Sequence, residues 1–520
     1  MLSALSRSSA KAICSPWHHL PRSRRQMLSP CLSLRGSLKT KADYEDFFRY
    51  TSGRWLWDEE QQMRARYKVF NVAELQKAAA KAPGSDRCDS MAKLAEGGYN
   101  KVFRLQMNDG KIVLARIPNP NAGPPFYTIV SEVAAVQLVP VPKVYDWSAT
   151  ANNPVGSEYI IMEEVAGTQL DQVWKELTPD SKLAIMKEIV SIELRLSSIS
   201  FSQYVPLLYM GASNFANDSV EGPVLAEITS DVPAELKEVV AEKFTIGSSL
   251  TGKFAKLKTI EDAPNASTAQ RSPEAHIQFL RKFLDVAPYL VDVDKRFLRS
   301  FVWHGDLHSS NIFVDNNRIA SVIDWQSVWA GPLFLQAKPS PLLDYSGEIL
   351  LKRPANFDDL DDERKAEIKQ QIFKSTLLQL YLIETEETNP DLAETFHLNH
   401  GKTRRLPLEY VGDTWDDDIV SFREALINFE RHWAELGIKG DCPIHFTDAE
   451  LRDHLRDSEG WNVVQDFFEK IDGLVQRDGW TSNETFDEAI RFFIDLRKTG
   501  LENAKGEKRE RLEEETRWAE

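Results

Sequence analysis

The sequence predicts an α+β protein with a small antiparallel β lobe followed by a larger helical lobe. Strand-like runs alternate with glycine-containing turns between residues 91 and 117, and further β-prone runs follow near residues 144 and 159. Amphipathic helical patterns dominate the chain from residue 344 onwards. The chain has 520 residues, of which 42% are hydrophobic, and this is too long for one compact core. Two lobes with flanking segments are therefore expected.

The stretch from His304 to Asp324 joins a polar loop to a predicted β-hairpin. Two short apolar runs flank an Asn-Asn pair at 316–317, and this pattern is typical of a hairpin with a two-residue turn. Such a turn sets Asn311 opposite Val322, which lies about 7 Å along the strand from Asp324. The hairpin should therefore bring Asn311 and Asp324 close together.

Three side chains of this stretch have the chemistry that phosphoryl transfer needs. Asn311 offers an amide oxygen and Asp324 a carboxylate, which are ligands that Mg²⁺ takes from proteins. Asp306 can face the same space and accept a hydroxyl proton. In one alternative, Asp306 and Asn311 are ordinary turn residues. In another, His304, Asp306 and His308 ligate a metal, but without a further His or Cys cluster the histidines are better explained as hydrogen-bond partners that fix the loop.

The order of Asp306, Asn311 and Asp324 around a hairpin resembles the catalytic loop and metal-binding aspartate of protein kinases. HGDLHSSNI and VIDWQ resemble the aminoglycoside and choline phosphotransferase branch of that fold. From about residue 45 to 500, the chain is similar to fungal mitochondrial phosphotransferase-like proteins of the "altered inheritance of mitochondria protein 9" type. The resemblance implies a bilobal protein-kinase-like fold, with ATP and Mg²⁺ as cofactors. It also implies that Asp306 is catalytic and that Asn311 and Asp324 hold the metal.

In the small lobe, Gly97 and Gly98 separate two predicted strands. Glycines allow backbone N–H groups to approach phosphates. A glycine pair alone is typical of a plain hairpin turn, but its place ahead of the catalytic stretch favours nucleotide binding. Asn100, which can adopt left-handed backbone angles, stands near the place of a third glycine.

The strand after this turn ends in Val-Leu-Ala-Arg, where a kinase has Val-Ala-Ile-Lys. The resemblance therefore implies that Arg116 contacts the phosphates, for which its guanidinium fork is suited. It also implies that Glu132, on a predicted helix, pairs with Arg116 as the corresponding kinase residues do. A solvent-facing Glu132 is the alternative, and Lys101 is an alternative phosphate contact.

Charge is distributed unevenly along the chain. The net charge of −16 argues against nonspecific nucleic-acid binding, yet residues 1–42 hold eight Lys or Arg, nine Ser and no Asp or Glu. This composition is typical of a mitochondrial targeting segment, with a disordered basic tail as the alternative. No apolar run predicts a membrane span, and the four cysteines have no zinc or disulfide spacing.

Together these features predict five segments. They are a mitochondrial targeting segment at 1–42, an N-terminal extension at 43–90, a kinase-like N-lobe at 91–165, a helical C-lobe at 166–500 with the catalytic loop at 304–324, and a charged tail at 501–520.

The sequence leaves two functions open. The first is an ATP- and Mg²⁺-dependent mitochondrial phosphotransferase that acts on a small molecule, and the second is a nucleotide-binding pseudokinase or scaffold. Acidic clusters at 358–363 and 413–418 could bind a cationic amine, but solvated surfaces explain them better. The phosphate acceptor cannot be inferred, because a fold does not specify a substrate.

Overall fold

The computed structural model describes residues 44–122, 139–201, 207–209, 224–225, 244–246, 270, 272–325, 328, 330–345, 347–412, 414 and 419–519. The predicted targeting segment and Glu132 lie outside these residues.

Short and long helices alternate with strands in the described parts of the chain. The strands are β1 (Gly53–Trp55), β2 (Cys88–Glu96), β3 (Asn100–Met107), β4 (Ile112–Pro118), β5 (Val144–Ser148), β6 (Tyr159–Glu163), β7 (Thr168–Gln169), β8 (Ser200–Phe201), β9 (Leu207–Tyr209), β10 (Val224–Leu225), β11 (Phe244–Ile246), β12 (Ser300–Val302), β13 (Ile312–Asp315), β14 (Arg318–Val322), β15 (Ala330–Pro332) and β16 (Trp480–Ser482). The helices are α1 (Glu45–Phe48), α2 (Glu59–Ala65), α3 (Val72–Lys81), α4 (Leu170–Val173), α5 (Pro179–Ser197), α6 (Pro273–Leu290), α7 (Leu333–Gln336), α8 (Asp362–Thr388), α9 (Pro390–Phe396), α10 (Gly401–Tyr410), α11 (Ile419–Arg431), α12 (Asp448–Lys470), α13 (Phe486–Asn503) and α14 (Glu507–Glu515).

An antiparallel sheet of five strands, ordered β2-β3-β4-β6-β5, forms the small lobe. Alternate residues of β3 face one side of the sheet, so Phe103, Leu105 and Met107 are all buried. The N-terminal extension covers this side, and the rings of Phe47 and Phe70 pack edge-on against Phe103. These aromatic residues of the extension therefore anchor it to the core of the small lobe.

The predicted hairpin forms in the helical lobe as β13 and β14. Asn316 and Asn317 both have positive φ, 49° and 61°, as a two-residue turn of type I′ requires. Helix α5 packs beneath this hairpin through an apolar face that includes Ile185 and Ile189. The predicted α+β class, with a small antiparallel lobe and a larger helical lobe, is confirmed.

The register of the hairpin differs from the prediction by one residue. Val314 pairs with Ile319 but Phe313 pairs with Ser321, so the strand bulges at Ala320. The bulge sets Asn311 opposite Ile323 rather than Val322, and the Ile323 N–H donates to the Asn311 carbonyl at 2.9 Å. The predicted register was therefore wrong, and the bulge brings Asn311 one residue nearer to Asp324.

The two ends of the described chain meet. Strand β1 pairs antiparallel with β16, and the Trp55 indole N–H donates to Asp478 at 3.1 Å. Much of the charged run that the sequence assigns to a tail forms α14, whose Leu512 is buried in the same cluster as Leu56. The run is therefore part of the folded structure, since Leu512 lies in this cluster and Trp518 packs against it. None of the helices described here is both long and apolar enough to cross a membrane.

Candidate active site

His304 fixes the polar loop from within the core. Its Nε2 donates to the Ile323 carbonyl at 3.0 Å, and its Nδ1 accepts the Asp306 N–H at 3.3 Å. These two bonds require the neutral imidazole with its proton on Nε2, and burial accordingly lowers the pKa of His304. Both ring nitrogens are occupied, so the alternative in which His304 ligates a metal is wrong.

The Asn311 side chain is oriented by Asp306. Its Nδ2 donates to the Asp306 carbonyl at 3.0 Å and lies 3.4 Å from the Asp306 carboxylate. His308 completes the cluster, because its Nδ1 accepts the Ser310 N–H at 3.1 Å and its Nε2 lies 3.4 Å from that carboxylate. Because the amide nitrogen is used in this way, the buried Asn311 keeps its Oδ1 for a cation.

Asp324 has an unusual backbone conformation. Its φ is +63°, in the left-handed region that residues other than glycine rarely adopt. The preceding residue is held on both sides, since Ile323 donates to Asn311 and accepts from His304. The Asp324 side chain is 44% exposed, so its carboxylate is accessible. Strained backbone of this kind concentrates at functional sites.

Arg116 joins the two lobes at this point. It lies on β4 between Val102 and Ile160, and only 7% of the residue is exposed. Its Nη1 is 3.9 Å from an Asp324 carboxylate oxygen. Arg116 therefore faces the candidate site, whereas its predicted pairing with Glu132 falls outside the described residues.

Gly97 and Gly98 form the turn between β2 and β3. The Gly97 N–H donates to the Asn100 carbonyl at 2.9 Å, and the Gly98 carbonyl accepts from Asn121 at 3.1 Å. Neither glycine has left-handed angles, and an added Cβ would contact nothing within 4 Å at either position. The fold itself thus does not require glycine here, and phosphate binding by this turn stays a prediction.

Asn100 does not adopt the left-handed conformation that would let it replace a third glycine. It is the first residue of β3, pairs with Pro118 and has ordinary φ. Pairing in the sheet imposes extended backbone on this residue, and its contact with a nucleotide stays a prediction.

Lys101 is not available to phosphates either. Its ammonium is fully buried and donates to the Arg66 carbonyl at 2.6 Å and to Asn119 at 2.5 Å, with Glu96 at 3.5 Å. Burial is the main cause that lowers the pKa of Lys101 to about 8. This lysine ties the N-terminal extension to the base of the glycine turn, and its interpretation as an alternative phosphate contact was wrong.

The oxygen ligands of the candidate cation site are few. Within the described chain, no group of three or more His, Cys, Asp or Glu side chains is arranged to hold a metal ion. The set is instead one amide oxygen from Asn311 and one carboxylate from Asp324. This set fits Mg²⁺, which binds one or two protein oxygens and completes its shell with water and substrate phosphates.

Sequence reasoning missed two residues that contact the catalytic loop. Gln169 donates to the Ser310 carbonyl at 2.5 Å, and Asp171 accepts the Ser310 hydroxyl at 3.0 Å. Gln169 lies 141 positions before Ser310, and Asp171 lies 139 positions before it. No local pattern marks a contact at such a distance along the chain.

Comparison with known proteins identifies the domain that carries this geometry. Residues 90–334 match the model of the Phosphotransferase enzyme family, and they include all but the first two residues of the five-stranded sheet, Arg116 and the stretch from His304 to Asp324. This part of the chain is therefore similar to that family.

Relatives of this protein occur in fungi. A subtelomeric hrmA-associated cluster protein of Aspergillus fumigatus is 29% identical over 469 residues, covering 78% of this chain and 92% of the relative. The altered inheritance of mitochondria protein 9 of Yarrowia lipolytica is 24% identical, covering 85% of each chain. Among solved structures, a ternary complex of aminoglycoside phosphotransferase APH(4)-Ia with ADP and hygromycin B is 16% identical, with a TM-score of 0.33, and covers 71% of this chain and all of that one.

Proposed function

We propose that this protein transfers the γ-phosphoryl group of ATP, with Mg²⁺, to a hydroxyl group of a small molecule. The observation that carries the proposal is the orientation of Asn311. Its amide nitrogen is bonded to Asp306 and its backbone carbonyl is bonded to Ile323, beside Asp324. One asparagine thereby links a potential base and a potential metal ligand, and its own Oδ1 is left for the cation.

Asp306 is the residue that would touch the acceptor. Its carboxylate is 65% exposed, and its N–H and carbonyl are fixed by His304 and Asn311. A carboxylate held in this way can orient a substrate hydroxyl and accept its proton as the new bond to phosphorus forms. Placement of the acceptor supplies much of the rate enhancement in reactions of this kind.

Asn311 and Asp324 would hold the magnesium ion. When bound, Mg²⁺ supplies charge neutralisation of the phosphate oxygens. Arg116 is positioned to bind a phosphate of the nucleotide, because its guanidinium already faces the Asp324 carboxylate. The turn at Gly97 and Gly98 would lie over the same phosphates.

A mitochondrial location completes the proposal. Curated relatives from Yarrowia lipolytica and Saccharomyces cerevisiae carry the name altered inheritance of mitochondria protein 9, mitochondrial. The basic, serine-rich composition of residues 1–42 independently predicts targeting to that organelle. The partners are accordingly a nucleotide and a small mitochondrial molecule that carries a hydroxyl group.

The test is phosphoryl transfer from labelled ATP to a mitochondrial metabolite extract by purified protein. We expect Asp306→Asn to lower the rate by at least about 100-fold, because general-base contributions are typically 10²–10⁴-fold. The affinity for MgADP should change by less than about twofold, since Asp306 is not a metal ligand in this scheme. Asp315→Asn, an exposed aspartate at the hairpin tip, is the control and should match the wild type.

A nucleotide-binding pseudokinase or scaffold is the second candidate. The observation that favours it is Arg116, which stands at the place of the kinase lysine and faces Asp324 at 3.9 Å. Stabilisation by MgATP without turnover, together with full biological function of Asp306→Asn, would establish this role and exclude phosphoryl transfer.

A further inference from the structure

A short segment from the small-lobe side crosses the catalytic hairpin. This crossing segment, Gly167–Asp171, follows β6 by a few residues, and its strand β7 pairs antiparallel with β13. Gly167 has φ +93°, and a Cβ at this position would lie 2.3 Å from the Val314 carbonyl oxygen. Only glycine permits so close an approach with this backbone conformation. The crossing segment is thus held directly against the strand that begins after Asn311.

Two side chains of the crossing segment bind the residue before Asn311. Gln169 donates to the Ser310 carbonyl at 2.5 Å, and Asp171 accepts from the Ser310 hydroxyl at 3.0 Å. The Ser310 N–H is also used, because it donates to His308 at 3.1 Å. All three polar groups of Ser310 are therefore bonded. The backbone that carries Asn311 is fixed from one side by these contacts and from the other by Ile323.

The hydrogen bond between Asp171 and Ser310 involves a charged group. A carboxylate that accepts from a hydroxyl makes a charge-assisted hydrogen bond, about twice as strong as a neutral one. The carboxylate is also partly desolvated, since its Oδ1 is buried without a hydrogen-bond partner among the residues described. Burying part of a charge to hold one serine is costly and indicates that the position of this serine matters.

We propose that Asp171 and Gln169 are positioning residues which, through Ser310, hold the Asn311 amide in the orientation that binds the cation. This inference rests on the proposed function, because it assumes that Asn311 is a metal ligand. Partners that orient metal ligands without touching the metal typically change metal affinity by about 10–100-fold when they are removed. Asp171 and Gln169 should therefore affect the part of nucleotide binding that depends on Mg²⁺, and not nucleotide binding as such.

The experiment is calorimetric titration of the full chain with ADP, in the presence and absence of Mg²⁺. The measured quantity is the dissociation constant of ADP without Mg²⁺ divided by the dissociation constant with Mg²⁺. This ratio reports how much the cation strengthens binding. We expect Asp171→Ala and Ser310→Ala each to reduce this ratio by about tenfold, with metal-free ADP affinity within about twofold of the wild type. Because both variants break one contact, the double variant should lose no more than either alone.

Two further variants separate positioning from a general effect on folding. Asp171→Asn keeps one acceptor oxygen for Ser310 and should recover most of the ratio. Glu176→Gln, an exposed carboxylate five residues further along, should match the wild type. If Asp171→Ala fails to fold, Ser310→Ala provides the same measurement.

The possible outcomes distinguish this inference from the proposed function. Suppose that Asn311→Ala removes the strengthening of ADP binding by Mg²⁺, while Asp171→Ala and Ser310→Ala leave it at the wild-type value. The positioning role is then overturned and the proposed function stands. A lower melting temperature of Asp171→Ala with an unchanged ratio would likewise reduce Asp171 to a structural residue. If Mg²⁺ does not improve ADP binding to the wild-type protein, the proposed function fails and this inference fails with it.

Discussion

Residue chemistry accounts for most of what the candidate site can do. Asp306, Asn311 and Asp324 were predicted from their side-chain oxygens and their order, and the structure bonds Asn311 both to Asp306 and to Ile323, the residue before Asp324. The two histidines of the loop serve as hydrogen-bond partners, as the sequence predicts. By contrast, the role of Lys101 could not be inferred from residue type, because an ammonium can bind a phosphate or three buried acceptors. Its surroundings decided between the two.

Glu193 gives a residue-scale prediction on pH. It is buried between α5 and α8, where its carboxyl accepts the Tyr381 hydroxyl at 2.9 Å. Burial raises its pKa from 4.5 to about 8, so the folded protein holds this proton at pH values where the unfolded chain has lost it. The contribution of this protonated carboxyl to the free energy of unfolding is complete below pH 4.5 and is lost as the pH rises through about 8.

Glu193→Gln should remove this dependence, because glutamine keeps an acceptor for Tyr381 and does not ionise. Near pH 5 the variant and the wild type should have similar free energies of unfolding, and near pH 9 the variant should be more stable by about 4 kcal/mol. Urea titrations between pH 5 and 9 measure the difference, with the exposed Glu386→Gln as the control. Parallel curves for wild type and Glu193→Gln would contradict the prediction.

At the scale of elements, periodicity and turn chemistry predicted the parts but not their exact pairing. The Asn-Asn turn and the two strands of the hairpin were found from the sequence, whereas the bulge at Ala320 was missed. A bulge depends on how a strand fits the helices beneath it, and the residues of β14 show no glycine or proline that would mark one. The one-residue difference determines how close Asn311 comes to Asp324.

Gly167→Ala tests whether the crossing segment needs its close approach to β13. Alanine must adopt an unfavourable φ, and its Cβ would also collide with Val314. Gly110→Ala is a matched control, since Gly110 has φ +85° but open space around the added Cβ. We expect both variants to lose about 1 kcal/mol of stability from the backbone, and Gly167→Ala to lose a further 1–3 kcal/mol, about the cost of such local strain. Equal losses in denaturant titrations would show that the close contact has no energetic importance.

At the scale of the whole molecule, the ends of the chain fold together. Strands β1 and β16 lie near opposite ends of the chain, yet they pair directly. Trp55 on β1 also donates to Asp478, which lies 423 positions further along. The same N-terminal extension reaches the glycine turn, because Glu96 accepts from Thr51 and Lys101 donates to the Arg66 carbonyl. The C-terminal helices thus pack on a segment that also contacts the candidate nucleotide-binding turn.

Leu512→Ala tests whether the C-terminal charged run is part of the fold. Leu512 is 3% exposed and packs in the cluster that contains Leu56. Its truncation should lower the free energy of unfolding by about 2–4 kcal/mol, the usual cost of a cavity of this size. Leu455→Ala, at a leucine that is 62% exposed, should change it by less than about 0.5 kcal/mol. Chemical denaturation measures both, and equal values would mean that the last helix is not packed as described.

The sequence by itself determined the class of fold, the hairpin and the identity of the oxygen-bearing residues around it, because periodicity, turn residues and side-chain chemistry act over short stretches of chain. Tertiary structure decided which groups are accessible and which are consumed in the core. It buried Lys101, oriented the Asn311 amide, brought Asp171 to Ser310 and joined the two ends of the chain. These outcomes depend on contacts between residues far apart in sequence, and no local pattern specifies them.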